Sequence, residues 1–234
     1  MKPANEMQIE VMDTAESVAQ RAAAIIAEET RAAVNSRGRF VIAVSGGRTP
    51  WLMLRELAQA DVPWRAVDIV QVDERVAPPG DPDRNLTHLR ESLDCAPIPS
   101  GQIHQMPVES ADLEAAATAY ATILQQIAGA PPVLDLVHLG LGPDGHTASL
   151  VPNDPVLAIE DADVAVVGVY QGRRRMTLTY PIINRSRRVL WVVTGREKTP
   201  ALRRLLDGDA SIPAGRVRRE SALVIADRAA AQEL

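Results

Sequence analysis

Short runs that are apolar at nearly every position alternate along the chain with longer helical segments, and this alternation constrains the fold most. The strand candidates are RFVIAV, AVDIVQV, LDLVHL, VAVVGV, RMTLT, RVLWVV and ALVIA. A strand that is apolar on both faces has to be covered on both faces, which is typical of parallel sheets. We therefore predict an α/β fold: one domain over residues 1–234, with helices on both faces of a mostly parallel sheet, in three layers.

The segments between the strands carry helix signals. Helices are predicted in DTAESVAQRAAAIIAEETRAAV, NLTHLRESL, SADLEAAATAYATILQQI and REKTPALRRLL. Asp13 and Glu16 have the spacing of a capping box at the start of the first helix, and Gly38 is its predicted end. The two strand candidates between Val164 and Thr179 have no helix between them, so part of the sheet is expected to be antiparallel.

The composition limits the partners. Of the 234 residues, 46% are hydrophobic, which is enough for a sizeable core. The net charge of −5 offers no basic field for nucleic acid, so no nucleic-acid partner is expected. Cys95 is the only cysteine, which excludes a disulfide within the chain and a cysteine-based zinc site.

The sequence also bears on the compartment. A single cysteine suits a reducing environment. The first residues, MKPANEMQIEV, lack the apolar core of a signal peptide. No apolar run approaches the roughly 20 residues of a membrane-spanning helix. We expect a cytoplasmic protein without a membrane partner, either a monomer or a weak dimer.

Four polar segments follow four of the apolar strands. They cover residues 45–50, 73–75, 140–146 and 194–198. In open α/β sheets, ligands bind at the carboxyl ends of the strands. The four segments are therefore expected to meet at one edge of the sheet and to form a ligand site there.

The first of these segments, SGGRTP, leads into a predicted helix. Gly46 and Gly47 allow backbone N–H groups to approach an anion, and a helix N-terminus adds partial positive charge. An ordinary tight turn remains the alternative. Ala43, Ser45 and Gly47 also match a relaxed nucleophile elbow, A-x-S-x-G, so an α/β-hydrolase triad with downstream Asp and His stays open.

The third segment, GLGPDGH, has the G-x-G-x-x-G spacing of a dinucleotide-binding loop. Such a loop should open a long helix, but Pro152 and Pro155 leave room for only a turn or two. We predict that the glycines instead let the backbone bend and present Asp144 and His146. A structural or capping role for His146 is the alternative, and no set of metal ligands can be nominated.

Charged residues in the other segments are candidates for binding anions. Arg75, in VDERV, can clamp a phosphate or carboxylate through two hydrogen bonds, although a solvated charged turn would look the same. Lys198 lies at a predicted helix start, where it can act as a point charge for phosphate, or as a plain surface lysine. In the basic run RRR, the arginine nearest the strand, Arg175, is expected to face the site.

Five segments in order resemble the 6-phosphogluconolactonase family. They are SGGRTP, VDER, LDLVHLGLGPDGHTASLVP, RRRMTLTYPIINRSRRVLWVVTGREK and GDASIPAGRV, and they extend from about Phe40 to Asp227. The resemblance implies a Rossmann-like fold shared with glucosamine-6-phosphate deaminase and no required cofactor. It also implies an enzyme that hydrolyses 6-phospho-D-glucono-1,5-lactone to 6-phosphogluconate in the oxidative pentose phosphate pathway. Arg84, in DPDRNLTH, departs from the family, which more often has Ser before the Asn.

The resemblance implies a role for each candidate residue. His146 is the expected base, because an imidazole with its unperturbed pKa near 6.5 can take a proton from water at neutral pH. Asp144 orients the imidazole or its loop. Arg75 and the amides of the loop formed by Ser45, Gly46 and Gly47 bind either the phosphate or the developing oxyanion. Lys198 and Arg175 are expected to bind phosphate, and Asp73 sugar hydroxyls.

Two rival functions are considered. Glucosamine-6-phosphate deaminases resemble DGHIAFNEP in the histidine loop, where a glutamate completes a relay to the histidine. Val151 stands at that place here, and Arg75 stands where the deaminases have an aromatic residue, so both favour a lactonase. A non-catalytic sugar-phosphate sensor usually carries a DNA-binding module, and no helix-turn-helix segment precedes Gly38.

Overall fold

The computed structural model describes residues 7–234, which form ten strands and six α-helices. The strands are β1 (Gln8–Met12), β2 (Phe40–Val44), β3 (Val67–Gln71), β4 (Asp73–Arg75), β5 (Ile103–His104), β6 (Leu136–Leu139), β7 (Val164–Tyr170), β8 (Arg173–Leu178), β9 (Arg188–Val193) and β10 (Ala222–Asp227). The helices are α1 (Ala15–Arg37), α2 (Arg48–Ala58), α3 (Asn85–Ser92), α4 (Leu113–Ala128), α5 (Tyr180–Arg185) and α6 (Thr199–Asp207).

Seven strands form the main sheet, in the spatial order β1-β10-β9-β6-β2-β3-β5. All of its neighbouring pairs are parallel. From β2 the chain proceeds to β3 and β5 on one side and then crosses to β6 on the other. The strand order therefore reverses between β2 and β6, which is where open α/β sheets bind their ligands.

The remaining three strands form a second sheet, in the order β4-β8-β7, and its pairs are antiparallel. The antiparallel pairing predicted between Val164 and Thr179 is confirmed. Its expected place within a single sheet was wrong, because β7 and β8 belong to this second sheet. The short strand β4 follows the carboxyl end of β3 directly. It pairs with β8, about a hundred residues later in the chain.

Helices cover both faces of the main sheet, which confirms the three-layer α/β prediction. Successive side chains of a strand point to opposite faces. In β2, Phe40 and Ile42 join the core beneath α1 and α2. Val41 and Ala43 join the other core, which includes buried residues of α4 such as Tyr120.

The start of α1 differs in detail from the prediction. Thr14 is the N-cap, and its hydroxyl accepts the Ser17 N–H at 3.2 Å while Ser17 Oγ accepts the Thr14 N–H at 3.0 Å. The predicted Asp13–Glu16 capping box was therefore wrong by one residue, because two short hydroxyl side chains close the box. Gly38 ends the helix in the left-handed region, as predicted.

Among residues 7–234, none of the helices has the length and apolar character needed to cross a membrane.

Candidate active site

A cavity of about 600 Å³ opens at the carboxyl ends of the central strands, within the size range of small-molecule sites. Residues from all four predicted segments line it, so the expected convergence is confirmed. The lining residues from these segments are Ser45, Gly46, Gly47, Arg48, Thr49, Pro50, Asp73, Arg75, Gly140, Leu141, Gly142, His146, Thr194, Gly195, Glu197 and Lys198.

Asp144 and His146 form a hydrogen-bonded pair at the wall of this cavity. His146 Nδ1 lies 2.6 Å from Asp144 Oδ1. Partial burial disfavours the charged carboxylate, but hydrogen bonds and the charge of His146 outweigh it and lower the pKa of Asp144. Because an ionised carboxylate only accepts, the proton lies on Nδ1, which leaves the Nε2 lone pair free to act as a base.

The glycines of the 140–146 loop make room for this pair. A Cβ on Gly142 would lie 2.7 Å from Asp144 Oδ1 and closer still to the imidazole of His146. Gly145 has φ of 84°, and a Cβ there would meet Ile212. After the loop the chain forms a β-bridge between Thr147 and Leu150 rather than a long helix. The spacing thus serves the Asp144–His146 pair, as predicted.

The Ser45–Gly47 turn presents backbone to the cavity. Gly47 is the N-cap of α2 with φ of 129°, and within residues 7–234 no side chain caps this end. The backbone N–H groups at the N-terminus of α2, and the partial positive charge there, are therefore available to an anion. The buried Ser45 donates its N–H to His138 Nδ1 at 3.2 Å.

The nucleophile-elbow alternative lacks its key contact. The hydrogen bonds of the His146 ring within the described chain go to Asp144 and Tyr170, and none reaches Ser45 Oγ. A serine nucleophile needs a base within hydrogen-bond reach. The geometry therefore does not support Ser45 as a nucleophile activated by His146.

Two arginines of the second sheet stand side by side at the cavity wall. Arg75 and Arg175 are directly paired across β4 and β8. Arg175 is buried, and its desolvation, together with the charge of Arg75, lowers its pKa despite the opposing effect of Asp73. Two arginines on paired positions of neighbouring strands are suited to an anion, which would relieve their mutual repulsion. Lys198, at the start of α6, lines the same cavity.

Asp73 is more deeply engaged than its sequence position indicates. Its carboxylate accepts Ser149 Oγ at 2.6 Å and Asn85 Nδ2 at 3.2 Å, and it lies 3.9 Å from Arg175 Nη1. Asn85 was missed in the sequence analysis, although it stands in the motif beside Arg84. Within residues 7–234, its buried Oδ1 has no partner, and Asn85 lines the cavity.

Arg84 supports the site from behind rather than entering it. Its buried guanidinium pairs with Glu74 at 3.1 Å and with Glu109 at 2.6 Å. Glu74, fully buried, also accepts the backbone N–H groups of Asn85 and Leu86 at the start of α3. The alternative of a solvated DER turn is therefore wrong for Glu74, which anchors α3 against β4.

No group of three or more histidine, cysteine, aspartate and glutamate side chains in the described part of the chain is arranged to hold a metal ion. The expectation of metal-free chemistry stays a prediction.

Comparisons relate the chain to known proteins. The family model for glucosamine-6-phosphate isomerases/6-phosphogluconolactonase matches residues 13–225. A 6-phosphogluconolactonase of Synechocystis sp. is 39% identical over 200 residues, which are 83% of this chain and 83% of that relative. The structure of 6-phosphogluconolactonase from Trypanosoma brucei has a TM-score of 0.86 at 26% identity and covers 98% of this chain and 99% of its own. A monomeric glucosamine-6-phosphate deaminase shares the fold, with a TM-score of 0.85 at 21% identity over 97% of this chain and 99% of its own.

Proposed function

The chain belongs to the glucosamine-6-phosphate isomerase/6-phosphogluconolactonase family, and we propose that its Asp144–His146 pair drives hydrolysis of 6-phospho-D-glucono-1,5-lactone to 6-phosphogluconate. The chain is thus a lactone hydrolase of the oxidative pentose phosphate pathway. Relatives that match most of its length bear the name 6-phosphogluconolactonase. The observation that carries the mechanism is the 2.6 Å contact between His146 Nδ1 and Asp144 Oδ1 at the cavity wall.

The reaction adds water across an ester bond that is already activated. His146 Nε2 removes a proton from water as the water oxygen attacks the lactone carbonyl carbon, and the carbonyl oxygen becomes an oxyanion. The negative charge of Asp144 stabilises the imidazolium that forms. The oxyanion then collapses, the bond to the ring oxygen breaks, and the ring oxygen takes the proton from the imidazolium.

The cationic groups divide between the two ends of the substrate, the phosphate and the carbonyl that becomes an oxyanion. Lys198 and Arg175 bind the phosphate, aided by the N-terminus of α2 at Gly46 and Gly47. Arg75 lies beside Arg175 in the second sheet and stabilises the oxyanion or shares the phosphate. Asp73 and Asn85 face the sugar hydroxyls between these ends.

The family includes deaminases, and one residue disfavours that activity here. Val151 stands where the deaminases carry a glutamate, and it is buried and apolar. A valine side chain cannot transfer a proton, so no relay reaches His146 from this position. Glucosamine 6-phosphate is therefore not expected to be a substrate.

The experiment is a hydrolysis assay with freshly made 6-phosphogluconolactone, in which the spontaneous rate is subtracted. Turnover well above that rate, unchanged by a chelator, supports the proposal. Loss of turnover with a chelator and its recovery with zinc would refute the metal-free mechanism. Ammonia release from glucosamine 6-phosphate at a rate rivalling lactone turnover would reverse the choice between the two activities.

We further propose that the enzyme works in the cytoplasm as a monomer or weak dimer. The single cysteine, which is exposed, supports a reducing compartment. Sedimentation at micromolar concentration tests the oligomeric state, and a stable tetramer would contradict it.

A further inference from the structure

Tyr170, at the end of β7, is in direct contact with the Asp144–His146 pair. Its hydroxyl donates to Asp144 Oδ2 at 2.9 Å. The Tyr170 hydroxyl oxygen also lies 3.2 Å from His146 Nδ1. The centres of the Tyr170 and His146 rings are 5.3 Å apart, in an edge-to-face arrangement. No sequence signal marked this residue, because its only local feature is an aromatic side chain before a turn.

The second sheet holds Tyr170 firmly in this position. Gln171 and Gly172 both have positive φ, 52° and 79°, and form a tight turn between Tyr170 and its paired residue Arg173. The guanidinium of Arg175 lies 5.0 Å from the centre of the phenol ring, close enough for a cation–π interaction. The turn and the stacked arginine together limit the rotamers of Tyr170.

The hydrogen atoms in this group can be assigned from charge. Burial and the hydrogen bond with Asp144 raise the pKa of Tyr170, so the phenol keeps its proton at neutral pH. With Asp144 ionised, Oδ1 accepts both the Nδ1–H and, at 3.2 Å, the backbone N–H of His146, and Oδ2 accepts the Tyr170 hydroxyl. Donors at fixed positions on both oxygens determine the rotation of the carboxylate about its side-chain bond, and Tyr170 is the one that holds Oδ2.

We propose that Tyr170 is a positioning residue that holds the Asp144 carboxylate in the orientation which keeps the His146 proton on Nδ1 and leaves Nε2 available as the base. This inference rests on the proposed hydrolysis. Tyr170 itself does not need to touch the substrate; it acts through Asp144.

Tyr170→Phe tests the role because it keeps the ring and removes only the hydroxyl. Loss of one hydrogen bond to a charged group should lower kcat by about 10- to 150-fold, with KM changed by less than about twofold. Tyr180→Phe is the matched control. Tyr180 also lies under an arginine, Arg216 at 4.8 Å, and donates to a carbonyl, that of Pro213, at 2.8 Å. Its hydroxyl bonds neither Asp144 nor His146, so kcat of the Tyr180→Phe variant should stay at the wild-type value.

A double-mutant cycle separates positioning from a merely structural contribution. In an Asp144→Asn background, Tyr170→Phe should change kcat by less than about twofold, because the group through which Tyr170 acts is already altered. An equal loss in both backgrounds would overturn the inference. So would a wild-type kcat in Tyr170→Phe.

A spectroscopic readout tests the inference even if the lactone is not the substrate. The ¹⁵N shifts of the His146 ring should report the Nδ1–H tautomer in the wild-type protein and a larger share of Nε2–H in Tyr170→Phe. Identical tautomer populations in the two proteins would refute the positioning role. Absence of lactone turnover by the wild type would instead refute the proposed function.

Discussion

At the scale of single residues, Lys198 is proposed to bind the phosphate and to take no part in the chemistry at the ester. It lines the cavity from the start of α6, and a hydrogen bond between charged groups contributes roughly 1.5–3 kcal/mol. Lys198→Met should therefore lower kcat/KM for the phosphorylated lactone by about 10- to 150-fold. Steady-state kinetics with the spontaneous rate subtracted measures this.

Unphosphorylated gluconolactone is the control substrate for Lys198→Met, because it has no phosphate for the ammonium to bind. Its slow hydrolysis should barely change in the variant. An equal loss on both substrates would mean that Lys198 stabilises the reacting carbonyl or the fold, and its assignment to the phosphate would fail.

His138 gives a residue-scale prediction about acid stability. It is fully buried, and desolvation lowers its pKa to about 3. The unfolded chain binds this proton near pH 6.5, whereas the folded protein stays neutral there, so stability falls as the pH drops below 6.5. From about pH 7.5 to about pH 4.5, the loss assigned to His138 is roughly 2–3 kcal/mol.

His138→Asn isolates that contribution, since asparagine does not titrate and its Oδ1 can accept the Ser45 N–H in place of Nδ1. Urea unfolding at the two pH values gives the free energy of each protein. The wild type should lose more stability than the variant between them. Parallel curves would show that His138 is not a buried neutral group.

At the scale of elements, the 140–146 loop makes a matched pair of glycine substitutions possible. A Cβ on Gly142 would overlap the Asp144–His146 pair, whereas a Cβ on Gly140 would meet only Ser45 Oγ, at an ordinary 4.0 Å. Displacing a catalytic group by about 1 Å can lower the rate by about 100-fold. Gly142→Ala should therefore lose at least about tenfold in kcat, and Gly140→Ala should remain close to the wild type. Similar kinetics for both variants would contradict the assigned role of Gly142.

The local signals of the sequence predicted most elements. The apolar runs became β2, β3, β6 to β10, and Gly38 ended α1 as expected. The strand β1 was missed because its side chains are only partly buried and it carries the charged Glu10, which pairs with Arg21 at 2.6 Å. The strand β4 was missed because its partner, β8, lies far along the chain, and no local pattern encodes that pairing.

The site was predictable where it is built from loops that follow strands. Ser45, His146 and Lys198 line the cavity because parallel topology brings those loops together, and Arg75 lines it from β4, the short strand directly after β3. Tyr170 reaches the site from a hairpin of the second sheet, whose docking depends on non-local packing. The position of Tyr170 at the site could therefore not be predicted from the sequence.

At the scale of the whole molecule, residues of both sheets line one cavity. The main sheet supplies the glycine turn after β2 and, after β6, His146, the proposed base; the second sheet supplies Arg75, Arg175 and Tyr170. Both sheets pack into one core, in which residues such as Val137 and Met176 are buried. The relative position of base and anion site therefore depends on how well this core is packed.

The most direct test of the account is kcat of His146→Ala on freshly made 6-phosphogluconolactone. His146 is partly exposed at the cavity wall, so its removal should leave the thermal unfolding temperature close to that of the wild type. General-base catalysis contributes roughly 10²–10⁴ in rate, and kcat should fall by about that factor. A folded His146→Ala protein whose kcat stays within about threefold of the wild-type value would contradict the assignment of His146 as the base.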